Sequence, residues 1–308
     1  MAEKLVLIDG NGILHRAFHA LPKLTAEDGK LTNAVYGFFS MFIKLVNDLK
    51  PDYLAVCFDR AKPTFRQQLY VGYQANRPKM DNELVPQIEM VHNALDSSKI
   101  KIFELDGYEA DDLIGTITKK AVEGKDVLEI IVVSSDRDLL QLVNSHVRIL
   151  APVIGITKMI LFDQKSVEEK YGLKPDQIID YKALVGDPSD NYPGVSGIGP
   201  KTAEKLLKEY HSFENLYKNL DKLPQELGKK LAQDIEQASL AKNLATIVLD
   251  APISFDVEDC SLRHFNQVNL RHFFEDLDFK SLIARVDKMS KVEVTEKKEE
   301  DKKQLELI

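Results

Sequence analysis

The stretch Gly186–Leu207, GDPSDNYPGVSGIGPKTAEKLL, nearly spells a nucleotide phosphate loop, G-x-x-x-x-G-K-[ST], and its failure to be one decides how the second half of the chain folds. In that loop a buried strand leads into the glycines, and the lysine follows the last of them directly so that it reaches the β/γ-phosphates. Here Pro200 separates Gly199 from Lys201, and a helical run with an Asp-rich turn precedes Gly194. Proline suits the first turn of a helix, where its missing N–H would be unpaired anyway. The stretch therefore reads as helix, tight glycine turn, helix. Gly194, Gly197 and Gly199 let the backbone approach a phosphate closely, and the N–H groups opening the helix at Lys201 and Thr202 favour an anion. With Lys201 and Lys205 as electrostatic support, this pattern fits a sequence-independent grip on a nucleic-acid backbone.

Upstream the periodicity changes. Apolar, β-branched runs at 4–8, 53–58, 99–105, 129–135 and 147–152 read as strands, with 157–162 as a hairpin partner of the last. Helical periods at 32–48, 84–97 and 109–123 separate them, which predicts an α/β fold with a mostly parallel sheet covered on both faces. From about Tyr171 the strand signal fades, and helical patterns run over 175–185, 200–210, 213–219 and 226–248. The expected organisation is an α/β core over 1–170, a helical subdomain over 171–290 with its gripping unit at about 186–210, and a charged, aromatic-free tail over 291–308 read as disordered or a linker stub.

Composition narrows the function classes. The chain has 308 residues, 44% of them hydrophobic, enough for a real core. It has no charged leader and no apolar run near the ~20 residues of a membrane span, so a cytoplasmic protein without a membrane partner is expected. Two cysteines without metal spacing read as free thiols in a reducing compartment. A net charge of −8 argues against nucleic acid, unless many acids are clustered as ligands and offset by bound cations.

The acids do fall in such a pattern. Asp9 follows the first strand, Asp59 the second, Glu109, Asp111 and Asp112 the third, and Asp136 and Asp138 the fourth, while Asp187 and Asp190 follow the helical run before Gly194. Residues at the carboxyl ends of parallel strands converge on one crevice. Any single one reads as a turn former or helix cap, but as a set without counter-charge they would repel strongly. The donors are hard oxygens with no His or Cys among them, which selects Mg²⁺ or Mn²⁺, and their number calls for two or more ions. Paired ions about 4 Å apart activate water and stabilise the leaving oxygen of a phosphodiester, so hydrolytic phosphoryl transfer is the leading chemistry. VLIDGNGIL (6–14) also resembles the aspartyl-nucleophile motif of haloacid-dehalogenase-type phosphatases, but Asn11 stands where that motif needs its second Asp.

Basic and aromatic residues supply the rest. His15 and His19 read as packed or helix-surface residues, while Arg16 is placed to touch a substrate phosphate. Between 59 and 83, Arg60, Lys62, Arg66, Arg77 and Lys79 interleave with Phe65, Tyr70 and Tyr73. Cations beside aromatics suit single-stranded nucleic acid, and a solvated helix with packed tyrosines is the plainer alternative.

With LIDGNGILHRAFHAL (7–21), FDRAKPTFRQQLYVGYQANR (58–77), DGYEADDLIG (106–115), SSDRDLLQLV (134–143) and the opening stretch in that order, the chain resembles the 5′-nuclease domains of bacterial DNA polymerases I and the stand-alone 5′–3′ exonucleases of the flap endonuclease superfamily, over roughly 4–285. The resemblance implies a PIN-like core, a helical arch at about 60–95, and a helix-three-turn-helix gripping duplex DNA. It implies a metal site from Asp9, Asp59, Glu109, Asp111, Asp112, Asp136, Asp138, Asp187 and Asp190, and a K⁺ held by backbone carbonyls after Gly194. Arg66 and Arg77 match arch residues that contact the phosphate near the cut. The implied substrates are DNA with a 5′ flap, nick or junction and RNA primer–DNA hybrids, cut by a bacterial, cytoplasmic, monomeric enzyme in replication and repair. Two positions depart: Gln74 stands where the family carries a lysine that steers the scissile phosphate, and Asp81 where proline is common. The alternative is a DNA-junction binding module that has lost efficient catalysis through Gln74.

Overall fold

Six strands form the central sheet of the protein, described here from a computed structural model over residues 3–124, 129–155 and 158–289. They are β1 (Lys4–Asp9), β2 (Tyr53–Phe58), β3 (Lys101–Glu104), β4 (Glu129–Val133), β5 (Val147–Ile154) and β6 (Lys158–Phe162), in the order β3-β2-β1-β4-β5-β6. All neighbours are parallel except β5 and β6, the expected hairpin. Ile8 is aligned with Val56 on one side and Val133 on the other. Continuous rather than alternating apolar runs in β1, β2 and β4 follow from burial of both sheet faces.

Helices α1 (Gly10–Ala20), α2 (Asn33–Leu49), α3 (Phe65–Leu69), α4 (Val85–Ser97) and α5 (Ala110–Glu123) alternate with the first strands. Phe38, Phe39 and Phe42 of α2 with Val91 and Leu95 of α4 cover one face, against Val6, Ile8 and Val56. Leu113, Ile114 and Ile117 of α5 cover the other, against Leu5, Leu7 and Cys57. The chain runs from β1 outward through β2 to β3 and then crosses back to add β4 on the other side of β1, so a crevice opens beyond the carboxyl end of β1. The segment at 60–95 contributes α3, turns over 71–76 and α4.

Downstream, α6 (Gln164–Tyr171), α7 (Ile178–Val185), α8 (Pro200–Tyr210), α9 (Phe213–Lys218), α10 (Gln225–Gln233) and α11 (Ile235–Ala245) build a second core around Leu184, Leu206, Leu207, Leu216 and Leu231. Between α7 and α8 a small hairpin, β7 (Gly186–Asp187) with β8 (Tyr192–Pro193), precedes the expected glycine turn, which runs over 194–199. Gly186 has φ 79°, and a Cβ on Gly194 would run into the backbone of Gly186 and Leu184.

Two sequence expectations are corrected. The run at 226–248 is two helices split at Asp234, whose carboxylate receives the Ser196 N–H at 2.7 Å. Neither glycine nor proline marks that break. The last helices, α12 (Gln267–Asp276) and α13 (Lys280–Val286), leave the helical subdomain: Phe274, Leu282 and Val286 join the core under α2. The tail at 291–308 lies outside the described residues.

Candidate active site

At the end of β1, Asp9 caps α1. One carboxylate oxygen accepts the Gly12 N–H at 2.8 Å and the other accepts the Ser134 hydroxyl at 2.7 Å. Burial and neighbouring Asp59 push Asp9 up to about 7, against those two bonds. Asp59, at the open rim after β2, accepts the Ala110 N–H at 2.7 Å, while its own N–H donates to Asn11 Oδ1 at 3.1 Å. Asp111, in the first turn of α5, receives no hydrogen bond and no ion pair among the described residues. Burial first, then Asp136 and Asp9, hold it well above the usual carboxylate range. Asp136 follows β4 and orders its own turn by accepting the Asp138 N–H at 2.8 Å. These acids line one cleft of about 1520 Å³ with His15, Arg16 and Arg77, the convergence expected from their places at strand ends.

Two expected site residues are placed otherwise. Asp112, fully buried, faces away from the cleft and takes Arg66 end-on at 2.7 and 2.8 Å. It also accepts the N–H groups of Val248 at 2.9 Å and Glu109 at 3.1 Å. Arg66, expected on a substrate phosphate, is 2% exposed. Its remaining donors bond the carbonyls of Leu244 at 2.9 Å and Thr246 at 2.8 Å and the Glu109 carboxylate at 3.2 Å. A guanidinium with every donor committed to the end of α11 and to two acids has none left for a phosphate. The capping position at Glu109 and the 3.6-residue turn explain the split: Asp111 and Asp112 leave α5 on different faces.

Asp138, Asp187 and Asp190 form a tighter group, with one carboxylate oxygen of each within 4.8 Å of the others. Lys182, on α7, donates to Asp138 and, at 2.5 Å, to Asp187. Burial raises Asp187, but the bonds from Lys182 and Ser189 outweigh it and hold the acid below its ordinary value. Asp190 accepts from Arg77 at 2.5 Å and from the Tyr73 hydroxyl at 3.3 Å. That hydroxyl lies equally near Glu109, at 3.2 Å. Tyr73, expected to stack on bases, is instead 4% exposed and packed beside Tyr192. Burial first, then Glu109's neighbouring acids against Arg66, lift Glu109 to about 7.

The other expected residues are scattered around this centre. Arg16 lines the cleft with Nε on the Gly155 carbonyl at 2.6 Å. Gln74 also lines it, in the left-handed region at φ 56°, its N–H on the Asp190 carbonyl at 2.9 Å. Arg60 pairs with Glu104 and Asp106 at the cleft's edge, and Lys79 is exposed. Gly197 has φ 77°; Thr202 returns its N–H to the Gly199 carbonyl, and Lys201 and Lys205 are solvent-facing on α8. The sequence reading missed Lys182 and Ser134. The spacing of Lys182, one and a half turns before Asp187, carries a weak signal; nothing local marks Ser134.

The donor set fits divalent cations. Its atoms are hard carboxylate oxygens, and a cation removes the repulsion among Asp9, Asp59, Asp111 and Asp136 that no side chain of the protein neutralises by an ion pair among the described residues.

Comparison with known proteins agrees with this geometry. Residues 4–172 match the family described as 5′-3′ exonuclease, N-terminal resolvase-like domain, and residues 173–268 match 5′-3′ exonuclease, C-terminal SAM fold. DNA polymerase I of Caldicellulosiruptor bescii is 44% identical over 285 residues, 92% of this chain and 33% of that protein. DNA polymerase I of Bacillus subtilis is 44% identical over 288 residues, covering 92% and 32%. The chain thus spans about a third of the length of the curated relatives it matches. Among solved structures, the T5 D15 protein co-crystallised with metal ions superposes with a TM-score of 0.66 at 21% identity, covering 92% of this chain and 100% of that one. The catalytic core of Rad2 in complex with DNA gives 0.56 at 17%, covering 92% and 93%. With both of its parts matched in order and its acids gathered at the sheet edge, the chain belongs to the 5′-3′ exonuclease family and carries a nuclease centre suited to divalent cations.

Proposed function

We propose that this chain is a structure-specific 5′ nuclease that hydrolyses phosphodiester bonds in DNA carrying a 5′ flap, nick or junction, and in RNA primers paired to DNA, during replication and repair. The observation that carries the reading is the meeting of acids from four strand ends with the Asp138, Asp187 and Asp190 group in one cleft. Asp9, Asp59, Glu109, Asp111 and Asp136 would hold one divalent cation, Mg²⁺ or Mn²⁺, and Asp138, Asp187 and Asp190 a second. When bound, such ions activate water and stabilise the leaving oxygen.

The protein's own groups set the geometry. Ser134 and the Gly12 N–H fix both oxygens of Asp9, and the Ala110 N–H fixes Asp59. Arg77, half exposed and tied to Asp190, lines the cleft and is placed to meet the scissile phosphate, with Arg16 and Gln74 lining the same cleft. The α7–α8 turn, with Lys201, Thr202 and Lys205, grips the duplex backbone, and its carbonyls are the proposed K⁺ site. Since that turn follows the acids at 187 and 190 directly, grip and cut are fixed relative to each other. Lys79 and Arg60 lie along the path of the displaced strand. No helix among the described residues is long and apolar enough to cross a membrane, and the reading takes the protein as a bacterial, cytoplasmic monomer.

The test is cleavage of a labelled 5′-flap duplex by the pure protein with Mg²⁺ and with chelator. Metal-dependent release of the flap is expected, and its absence overturns the reading. Gln74→Lys separates a weakened enzyme from a binding module: on the nuclease reading the unaltered protein cuts, and restoring the charge speeds it by ~30-fold or more, the value of one charge-assisted contact. Cutting by the variant alone would favour the binding module.

A further inference from the structure

Lys182 lies outside every motif that marks the centre, yet among the described residues it is the one ammonium that bonds two of the acids. It stands on α7, 15% exposed, with Asp138 on one side and Asp187 on the other. Those two acids and Asp190 are the group whose oxygens converge within 4.8 Å. Arg77 pairs with Asp190, so two protein cations already serve this group. On the sheet-edge side the balance differs: Asp9, Asp59, Asp111 and Asp136 have no contact ion pair with any Lys, Arg or His among the described residues, and the charges of Lys182 and Arg77 reach Asp136 only from farther off. A cation entering the sheet-edge position therefore relieves repulsion and breaks nothing. A cation entering the other position must first displace an ammonium held by charge-assisted bonds.

We propose that Lys182 is the resident cation of the Asp138–Asp187–Asp190 group and is exchanged for a divalent ion there, so that the protein fills its two cation positions in order, the sheet-edge position first. The inference rests on reading the cleft as a two-cation centre. Before exchange Lys182 acts as a positioning residue: it holds an acid from the end of β4 against one from the end of α7, so the second position is kept assembled while empty.

The experiment counts Mn²⁺ on the full chain by the electron paramagnetic resonance signal of the free ion, for the unaltered protein, Lys182→Met and Lys182→Arg, with thermal melts in chelator. Two classes of Mn²⁺ position are expected in the unaltered protein. Lys182→Met should tighten the weaker class by ~10-fold or more, the value of a charge-assisted pair no longer displaced, and change the tighter class far less. Lys182→Arg should keep the weak class weak. In chelator Lys182→Met should melt lower than the unaltered protein, with Mn²⁺ restoring it. Should Lys182→Met be too unstable without metal, Lys182→Gln, which keeps a donor to the acids, takes its place in the titration. Two classes that do not respond to loss of the lysine charge, or a weak class that becomes weaker, overturn the exchange while leaving the two-cation reading standing. A protein that binds no Mn²⁺ overturns both.

Discussion

Asp111 and Asp112 are neighbours in the first turn of α5, yet the protein treats them in opposite ways. Asp112 is sealed into a seam where Arg66, the Val248 N–H and the Glu109 N–H take up its oxygens. Asp111 faces the cleft beside Asp9 and Asp136 with nothing to neutralise it among the described residues. Both are shielded from water, Asp112 fully and Asp111 in part. What separates a structural acid from a ligand is whether the protein has supplied the counter-charge itself. The seam also has a mechanical role, because Arg66 reaches the carbonyls that end α11 and Thr116 and Gln141 bond the extended segment that follows. The helical subdomain is therefore stitched to the same helix, α5, whose other face carries ligands.

Neutralising each acid in turn should separate the two environments most strongly. Asp111→Asn should lower metal-dependent cleavage by ~10³-fold or more, on the order of 4 kcal/mol, since a ligand is lost from the centre. The same change should raise the melting temperature in chelator by removing like-charge repulsion. Asp112→Asn should do the reverse to stability and cost about 3 kcal/mol or more in urea unfolding, because Arg66 is left buried without its partner charge. If both variants shift stability the same way, the distinction between cleft and seam fails.

A smaller effect follows from pH. Burial lifts Asp9 from an ordinary 3.8 to about 7. A carboxyl raised in the folded state holds its proton better there than in the unfolded chain. Its contribution to stability is complete below about pH 3.8 and is lost as pH rises through about 7. Urea midpoints in chelator should therefore show a fall across that window which Asp9→Asn lessens, Glu109 and Asp111 supplying the remainder, and which saturating Mg²⁺ removes. An equal fall in Asp9→Asn would place the effect elsewhere.

Much of this was legible in the sequence because it rests on period and position. Continuous apolar runs gave the parallel sheet, and an acid after each of the first four strands placed the cleft. Pro200 gave the start of α8. What escaped depends on direction and long-range contact. A sequence shows that Asp111 and Asp112 are adjacent but not which face each leaves by, and Arg66 looks like a phosphate contact until its partners, 43 to 180 residues away, are known. Tyr73 looked like a stacking platform for the same reason. The split at Asp234 was hidden because a side-chain bond to Ser196, not a helix-breaking residue, defines it. The return of α12 and α13 to the first core leaves no local mark, since an apolar helix face does not name its partner.

The finest test of the seam removes its charges together. Replacing one partner leaves the other buried and unpaired, whereas replacing both by apolar residues of similar size removes the desolvation cost along with the attraction. Arg66→Met with Asp112→Leu should therefore recover part of the stability lost in Asp112→Asn, the remainder reflecting the carbonyls of Leu244 and Thr246 left without donors and the N–H groups of Val248 and Glu109 left without an acceptor. Cleavage should still fall by ~10-fold or more, because Glu109 loses the arginine that orients it and outer partners of ligands carry effects of that size. A double variant as unstable as Asp112→Asn would mean that packing at the end of α11, not the buried charge pair, holds the gripping half to the cutting half.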